Sequence, residues 1–323
     1  MSSPVPIVSL SPAMQAAMEA LSAAAPSRAG VLFYGESGTG RQLLAREMHR
    51  LVSPGAPFVA VDCAEASLDE LELALFGNAG GAAPPSAAPR HSERVEEGCR
   101  LLAARGGTLF LADLADMPVR VQARLARVLR DGEVVVGGAG VPERLSLRAA
   151  ASAGPGWDEA LGEGRIRPDL FKRTAVYRVD VPALRERRED IPHLASRMLE
   201  EECQARGVGP KAFEEPALLL LSALPWKQNA RELKALVTTL VTRVPAGTIT
   251  LEDVLVCVRL DGMAPPPAAS GTLREARRSF EREYISAVLQ RHKGRMADAA
   301  RALGIQRTNL YRKLRELRLT PRP

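Results

Sequence analysis

Histidine and cysteine are scarce in this chain, four of each among 323 residues, and neither clusters. Cys63, Cys99, Cys203 and Cys257 stand far apart and form none of the close pairs that hold zinc, so no metal site is expected. Aromatic residues make up only 4% of the sequence. No apolar run approaches membrane-spanning length, and the N-terminus lacks the basic-then-apolar pattern of a secretory signal. These absences exclude a zinc protein and an integral membrane protein of helical type. They lead us to expect a cytoplasmic protein with reduced thiols and no membrane partner.

What is present is an ordinary apolar content of 46% with 25% charged residues, enough for a folded chain of two or three domains. The net charge of +6 is uneven. Residues 272–323 hold 14 Lys/Arg against 5 Asp/Glu, a net of +9 that leaves −3 for residues 1–271. A basic end on a mildly acidic body points to a polyanion partner, although a solvated helical face has the same composition.

Three stretches read as breaks. NAGGAAPPSAAPR at 78–90 has the small residues and prolines of a loop, and SAGPGW at 152–157 reads as a turn. RLDGMAPPPAASG at 259–271 reads as a linker stiffened by three prolines. Between the breaks, apolar runs at 30–34, 57–61, 108–111, 145–151 and 176–181 alternate with helical patterns at 42–52 and 119–131. That alternation predicts an α/β fold with a mainly parallel sheet. From Asp190 to about Val258 the pattern is wholly helical. The expected domains are an αβ subdomain over 1–185, a helical subdomain over 186–258, the linker 259–271 and a basic helical domain over 272–323.

One motif carries chemistry. Gly35, Glu36, Ser37, Gly38, Thr39 and Gly40 follow the first strand and precede a helix that opens with Arg41 and Gln42. Glycine-rich turns at that junction aim backbone N–H groups at phosphate, aided by the positive end of the helix. Lysine usually follows the last glycine, because a thin ammonium reaches the terminal phosphates as a point charge. Arginine keeps the charge but is broad and planar.

GESGTGRQLLAREMH, PFVAVDCAE, LFG, GGTLFLAD, MPVRVQARLARVLRDGE, LFKR and VPALRERREDIPHLA resemble, in order and spacing, the central domain of bacterial enhancer-binding proteins. These NtrC-like AAA+ regulators act on sigma-54 RNA polymerase. The resemblance covers nearly the whole chain and implies a ring-forming ATPase with a P-loop αβ subdomain, a helical lid and a DNA-binding tail. It begins at about residue 7, so no receiver domain is expected ahead of it.

Carried over residue by residue, the resemblance is uneven. Arg41 replaces the family's lysine and Gln42 its next residue, often glutamate. The strand that ends in Asp-Glu in the family ends here in Ala112-Asp113, which removes the magnesium-organising aspartate and shortens the base. The family's polar sensor falls near Gly154. The two arginines that reach a neighbouring subunit's nucleotide match Arg167 and Arg173, and the lid arginine matches Arg231, where Lys227-Gln228 stands for Pro-Gly. ATP binding is therefore expected and efficient hydrolysis is not; magnesium is left open. The competing reading is a pocket that holds the fold together and no ligand. After LFG the family carries GAFTGA, whose aromatic grips sigma-54. Here Ala83 and Pro84 stand for its Phe and Thr, and no Phe lies between Gly77 and Arg105. The expected polymerase contact is thereby in doubt.

The tail is better preserved. Leu273–His292 has the spacing of an amphipathic helix, followed by helices over Met296–Leu303 and Arg307–Leu319 around the turn Gly304-Ile305. This part resembles the Fis-type helix-turn-helix, whose second helix enters the major groove of double-stranded DNA. Gln306, Arg307 and Asn309 are expected at base edges, and Arg312, Lys313 and Arg315 at phosphates. Leu303, Ile305, Leu310 and Leu314 are expected core residues; Tyr311 could serve either DNA contact or packing, with packing the preferred expectation. The long helix should pair two chains, giving a homodimer on a palindromic site, with a hexameric ring implied for the AAA+ part. The sequence thus supports a DNA-binding regulator with an impaired ATPase. The alternatives are a working sigma-54 activator with divergent motifs and a phosphate-transfer enzyme unrelated to transcription, for which no substrate motif is visible.

Overall fold

The computed structural model describes residues 7–64, 67–77, 93–137, 142–245, 247–258, 285, 295–302 and 306–317, without the side chains of 302, 315 and 316. The chain divides into two compact units, 1–251 and 252–323, each treated by itself below.

The first unit opens with α1 (Pro12–Ala24), followed by β1 (Val31–Tyr34), α2 (Arg41–Val52), β2 (Phe58–Asp62) and α3 (Leu68–Phe76). Next come β3 (Glu93–Val95), α4 (Arg100–Ala103), β4 (Thr108–Ala112), α5 (Val119–Asp131), β5 (Glu133–Val136) and β6 (Pro142–Arg144). β7 (Arg148–Ala153), α6 (Trp157–Gly162), α7 (Pro168–Thr174) and β8 (Tyr177–Asp180) complete the αβ part. Five strands form one parallel sheet in the order β2-β4-β7-β1-β8. β1 pairs with β7 on one side and β8 on the other, so its carboxyl end sits where the chain reverses its direction of crossing. Open parallel sheets bind ligands at such a point.

Alternation along the strands builds two apolar layers. Val31 and Phe33 join Met14, Leu44, Met48 and Phe110 on one face. Leu32, Leu109 and Leu111 join Leu125, Trp157 and Leu170 on the other. Phe110 stacks on Phe58 at 6.0 Å and meets Phe33 edge-on at 6.4 Å. Every residue of β7, RAAASA, is buried; its small side chains let α-helices lie close over a central strand. Buried Arg148 donates to the carbonyls of Ala24, Ala25 and Ala29, closing the C-terminal end of α1 with a cation.

Two expectations need correction. The segment 152–157 is not all turn: Ser152 and Ala153 continue β7, and Trp157, 2% exposed, opens α6. Ala and Ser carry weak strand preference in sequence, yet here they pair between β4 and β1, where bulk would not fit. The part after Asp190 is not wholly helical either. α8 (Ile191–Arg206), α9 (Glu215–Ala223) and α10 (Asn229–Arg243) are joined by a parallel pair, β9 (Ala212–Phe213) and β10 (Thr248–Ile249). The extended connections satisfy each other's backbone groups: Ala212 N donates to Gly247 O and Glu214 N to Ile249 O. A second small sheet, β3-β5-β6, was not foreseen, its strands being only three or four residues long.

In the second unit, α12 (Met296–Ala302) and α13 (Arg307–Glu316) share a small core of Ile285, Met296, Ala299, Ala300, Leu310, Leu314 and Leu317. α11 (Leu251–Cys257) precedes them. The expected linker, loop 78–90, the helix 273–292 apart from Ile285, and Leu303, Gly304 and Ile305 lie outside the described residues. Among the described residues no helix is long and apolar enough to cross a membrane.

Candidate functional site

Gly35–Gly40 runs from the carboxyl end of β1 into α2, as the sequence predicts. Gly38 and Gly40 adopt φ of 78° and 101°, a region a side chain rarely tolerates. Gly40 precedes α2 and gives it no side-chain cap. The first amides of that helix are thus left to a ligand or to water.

Arg41 does not point into open solvent. Its guanidinium, 9% exposed, meets the carboxylate of Asp113 through Nη1–Oδ1 at 2.7 Å and Nη2–Oδ2 at 3.3 Å. Asp113 follows β4 with φ of 50°, and its backbone N–H donates to Ser152 Oγ at 2.9 Å. The register of the sheet thus brings positions 41, 113 and 152 together from three separate segments. Gly154, the position of the expected polar sensor, leaves room beside the pair: a Cβ there would sit 3.8 Å from Arg41 Nη1.

The loop is also held from the helical part. Asn229 Nδ2 donates to Ser37 O, Ala230 N to Gly38 O, and Arg187 Nη2 to Thr39 O, at 2.9, 3.0 and 2.7 Å. Glu36 receives Arg185 at 2.9 and 2.5 Å and Asn229 Nδ2 at 3.1 Å. The hydrogen bonds of Arg185, then that of Asn229, hold the Glu36 carboxyl at about 2, well below its ordinary 4.5. Burial lowers the pKa of Arg187, against a smaller opposing effect of Asp190. Asp190 in turn accepts from the backbone of Leu10 and Ser11 and from Ser11 Oγ, tying the N-terminal segment to α8.

A recess of about 530 Å³ meets the loop at Gly35 and Glu36, lined also by Tyr34, Pro155 and Arg178, and two others flank it. One, of about 400 Å³, is lined by Glu36, Ser37, Pro155, Lys227, Gln228 and Arg231. The other, of about 80 Å³, lies beyond Gly40 among Ile7, Val8, Leu43, Leu194 and Met198, with Thr39, Arg187 and Arg197 at its polar side. Gln42 is exposed on α2.

Magnesium, implied by the resemblance, finds a poor donor set. Magnesium on a nucleotide takes most of its octahedron from phosphates and water, and the protein adds one or two carboxylates. Ala112 offers none, and Asp113 already faces a cation with both oxygens. Among the described residues no group of three or more His, Cys, Asp or Glu could hold a metal.

Arg167 and Arg173 stand at the two ends of α7 and away from the loop partners just named. Arg167 pairs with Asp169 at 3.0 and 2.8 Å, and Arg173 donates to Leu129 O. The Arg167 amide is fixed by fully buried Gln122, which also donates to Met117 O and Arg165 O. Gln122 was missed in the sequence. Its signal was a polar residue next to Val121, on the buried side of α5.

At the other end of the chain, Leu310 and Leu314 line one face of α13, Leu317 follows it at helical spacing, and all three are buried. Gln306, Arg307, Asn309 and Arg312 are exposed, and Lys313 is half-buried. The side chain of Arg315 lies outside the described residues. Tyr311 is not a packing residue: it is 42% exposed, with the Arg307 guanidinium 5.7 Å from its ring centre. Four residues separate them, one helical turn, which places Tyr311 on the Arg307 face and off the Leu310 face.

Comparison with known proteins agrees with this arrangement. Residues 7–180 match the Sigma-54 interaction domain, 185–260 the AAA+ ATPase lid domain and 276–317 the bacterial regulatory protein, Fis family. The DNA-binding transcriptional regulator NtrC of Escherichia coli (strain K12) is 34% identical over 335 residues, covering 96% of this chain and 70% of that protein. The transcriptional regulatory protein GlrR of the same strain is 34% identical, covering 95% and 67%. Crystal structures of NtrX from Brucella abortus in complex with ADP and with ATP superpose with TM-scores of 0.65 and 0.64. Their identities are 30% and 31%, over 97% of this chain and 69% of theirs.

Proposed function

The chain belongs to the NtrC-like sigma-54 interaction family of transcriptional regulators with a Fis-type DNA-binding domain, and from that membership we propose that it binds ATP but hydrolyses it poorly. The observation that carries the reading is the Arg41–Asp113 ion pair. Phosphoryl transfer needs a cation on the terminal phosphates and a free carboxylate to position water. Here the cation and the remaining carboxylate neutralise each other. Loss of the second acid at Ala112 and shortening of the base should each lower turnover by about two orders of magnitude.

Binding draws on other groups. The turn 35–40 offers backbone amides, and Arg231 and Lys227 line the recess beside it. The related NtrX structures hold ADP and ATP in the same fold. We assign Gly35–Gln42 and Arg231 to nucleotide binding, Asp113 to a weakened catalytic position, and Arg167 and Arg173 to contacts across a ring interface. The paired Arg167–Asp169 would have to open for that contact.

The tail supplies the DNA contacts. Gln306, Arg307 and Asn309 read bases and Arg312, Lys313 and Arg315 hold phosphates, two copies meeting a palindrome. The sequence 78–90, rich in Ala and Pro and without Phe, supports the reading that this chain lacks the aromatic lever for sigma-54. Regulation would then run through DNA occupancy, as repression or by way of another polymerase form or partner.

The second reading, a working activator, is favoured by the retained Arg167, Arg173 and Arg231. ATP binding and hydrolysis measured on one sample separate the two. Binding with little turnover is expected; brisk hydrolysis coupled to opening of a sigma-54 promoter overturns the proposal.

A further inference from the structure

The disagreement between the magnesium donors and this site has a consequence for how the nucleotide is held. We propose that this chain binds the nucleotide triphosphate without magnesium, Arg41 standing in for the metal's charge and Asp113 competing with the phosphate for Arg41. The inference rests on the nucleotide-binding reading above and goes further by naming the charge that does the work.

Geometry supports it on the cation side first. Arg41 Nη1 is buried and lies 2.7 Å from Asp113 Oδ1, yet the contact is outside hydrogen-bonding geometry and the nitrogen has no hydrogen-bond partner. A guanidinium has five donors in a fixed fork and pairs two-on-two with a phosphate as readily as with a carboxylate. Its side chain is buried while that of Asp113 is 32% exposed, so the carboxylate is the partner that can swing aside. An incoming phosphate would leave Arg41 compensated throughout, which matters because an unpaired buried charge is strongly unfavourable. The glycine at 154 leaves the neighbouring space open, and the uncapped start of α2 supplies amides to the same anion.

On the metal side, a ligand is missing. Ala112 offers a dication no oxygen, so Asp113, once the phosphate has displaced it from Arg41, stands without the adjacent acid that would help to organise a metal.

This makes a prediction of sign. In a metal-dependent site, removing a carboxylate weakens binding of the metal–nucleotide complex. In this site, removing Asp113's charge should tighten it. The test is titration calorimetry of the full chain with ATP, in excess EDTA and again in magnesium. The expected dissociation constants agree within about threefold, and Asp113→Asn lowers the EDTA value by about fivefold or more, roughly 1 kcal/mol. Asn suits the left-handed backbone at 113, so the variant should fold. Arg41→Lys with Ala112→Asp should instead become magnesium-dependent. Wild-type binding at least tenfold weaker in EDTA, or an Asp113→Asn variant that binds more weakly there, overturns the inference while leaving nucleotide binding intact. No ATP binding under either condition overturns both.

Discussion

Glu36 and Arg185 lie 149 residues apart in sequence and meet in a two-point ion pair, with N–O distances of 2.9 and 2.5 Å. The pair joins the phosphate turn to the start of the helical part, and Asn229 reinforces it from α10. Partly exposed ion pairs contribute at most about 1 kcal/mol, so the expected role is local closure and not global stability. Glu36→Gln should therefore leave the melting temperature within a few degrees of wild type and speed hydrogen exchange at Ala230, whose N–H is bonded to Gly38 O. Unchanged exchange there would show that the turn is held without Glu36.

The same carboxyl gives a pH dependence. Its pKa in the folded chain, about 2, lies below the ordinary 4.5. A group depressed on folding stabilises above its unfolded pKa and loses that contribution as pH falls through its folded one. Closure of the turn should be complete above about pH 5 and weaken progressively between pH 4.5 and 2. Protection of the Ala230 amide, its exchange rate relative to the intrinsic rate at the same pH, should follow the titration in wild type and be flat in Glu36→Gln.

Hydrolysis should respond to restoring the missing groups. Arg41→Lys with Ala112→Asp is expected to raise magnesium-dependent ATP turnover by about tenfold or more, since a free cation and a metal-organising carboxylate return together. The same protein should remain inactive at a sigma-54 promoter, because 78–90 is unchanged. Promoter opening by the double variant would refute the assignment made to that segment.

For the tail, Arg307→Ala should reduce site-specific DNA binding by about 1–3 kcal/mol while Arg312→Ala weakens specific and random DNA alike. Footprints and salt titrations distinguish these outcomes. Identical losses on both DNA types for Arg307→Ala would move it to the phosphate set.

Leu310 is fully buried in the core that joins α12 to α13. Leu310→Ala should destabilise the tail by about 2–4 kcal/mol, read as loss of DNA binding and of helical signal from the tail, with ATP affinity unchanged. A parallel fall in ATP affinity would contradict the separation of the two functions.

Much of the fold was legible because its signals are local. The apolar runs that became β1, β2, β4 and β8 and the spacing of α2 and α5 needed only periodicity, and Gly38 and Gly40 needed only the turn. What stayed hidden depends on distant meetings. Nothing in the neighbourhood of Arg187, Asn229 or Ser152 shows that they converge on residues 37–39 and 113, because sheet register and lid packing bring them there. β7 was placed too early because alanine and serine hide a strand whose constraint is lack of room. Tyr311 stayed open between packing and contact, with packing preferred, because aromatic character says nothing of which side of a helix it occupies, and it is exposed.

Asn229 shows how narrow such a junction can be. Its Oδ1 accepts from Leu184 N, its Nδ2 donates to Glu36 and to Ser37 O, and its φ is 55° with no exposure to solvent. Aspartate would tolerate the backbone but bring a second negative charge and no donor; glycine would fit and bond to nothing; glutamine would overreach and resist the turn. An ordinary carboxamide thus occupies a place that almost no substitution can inherit.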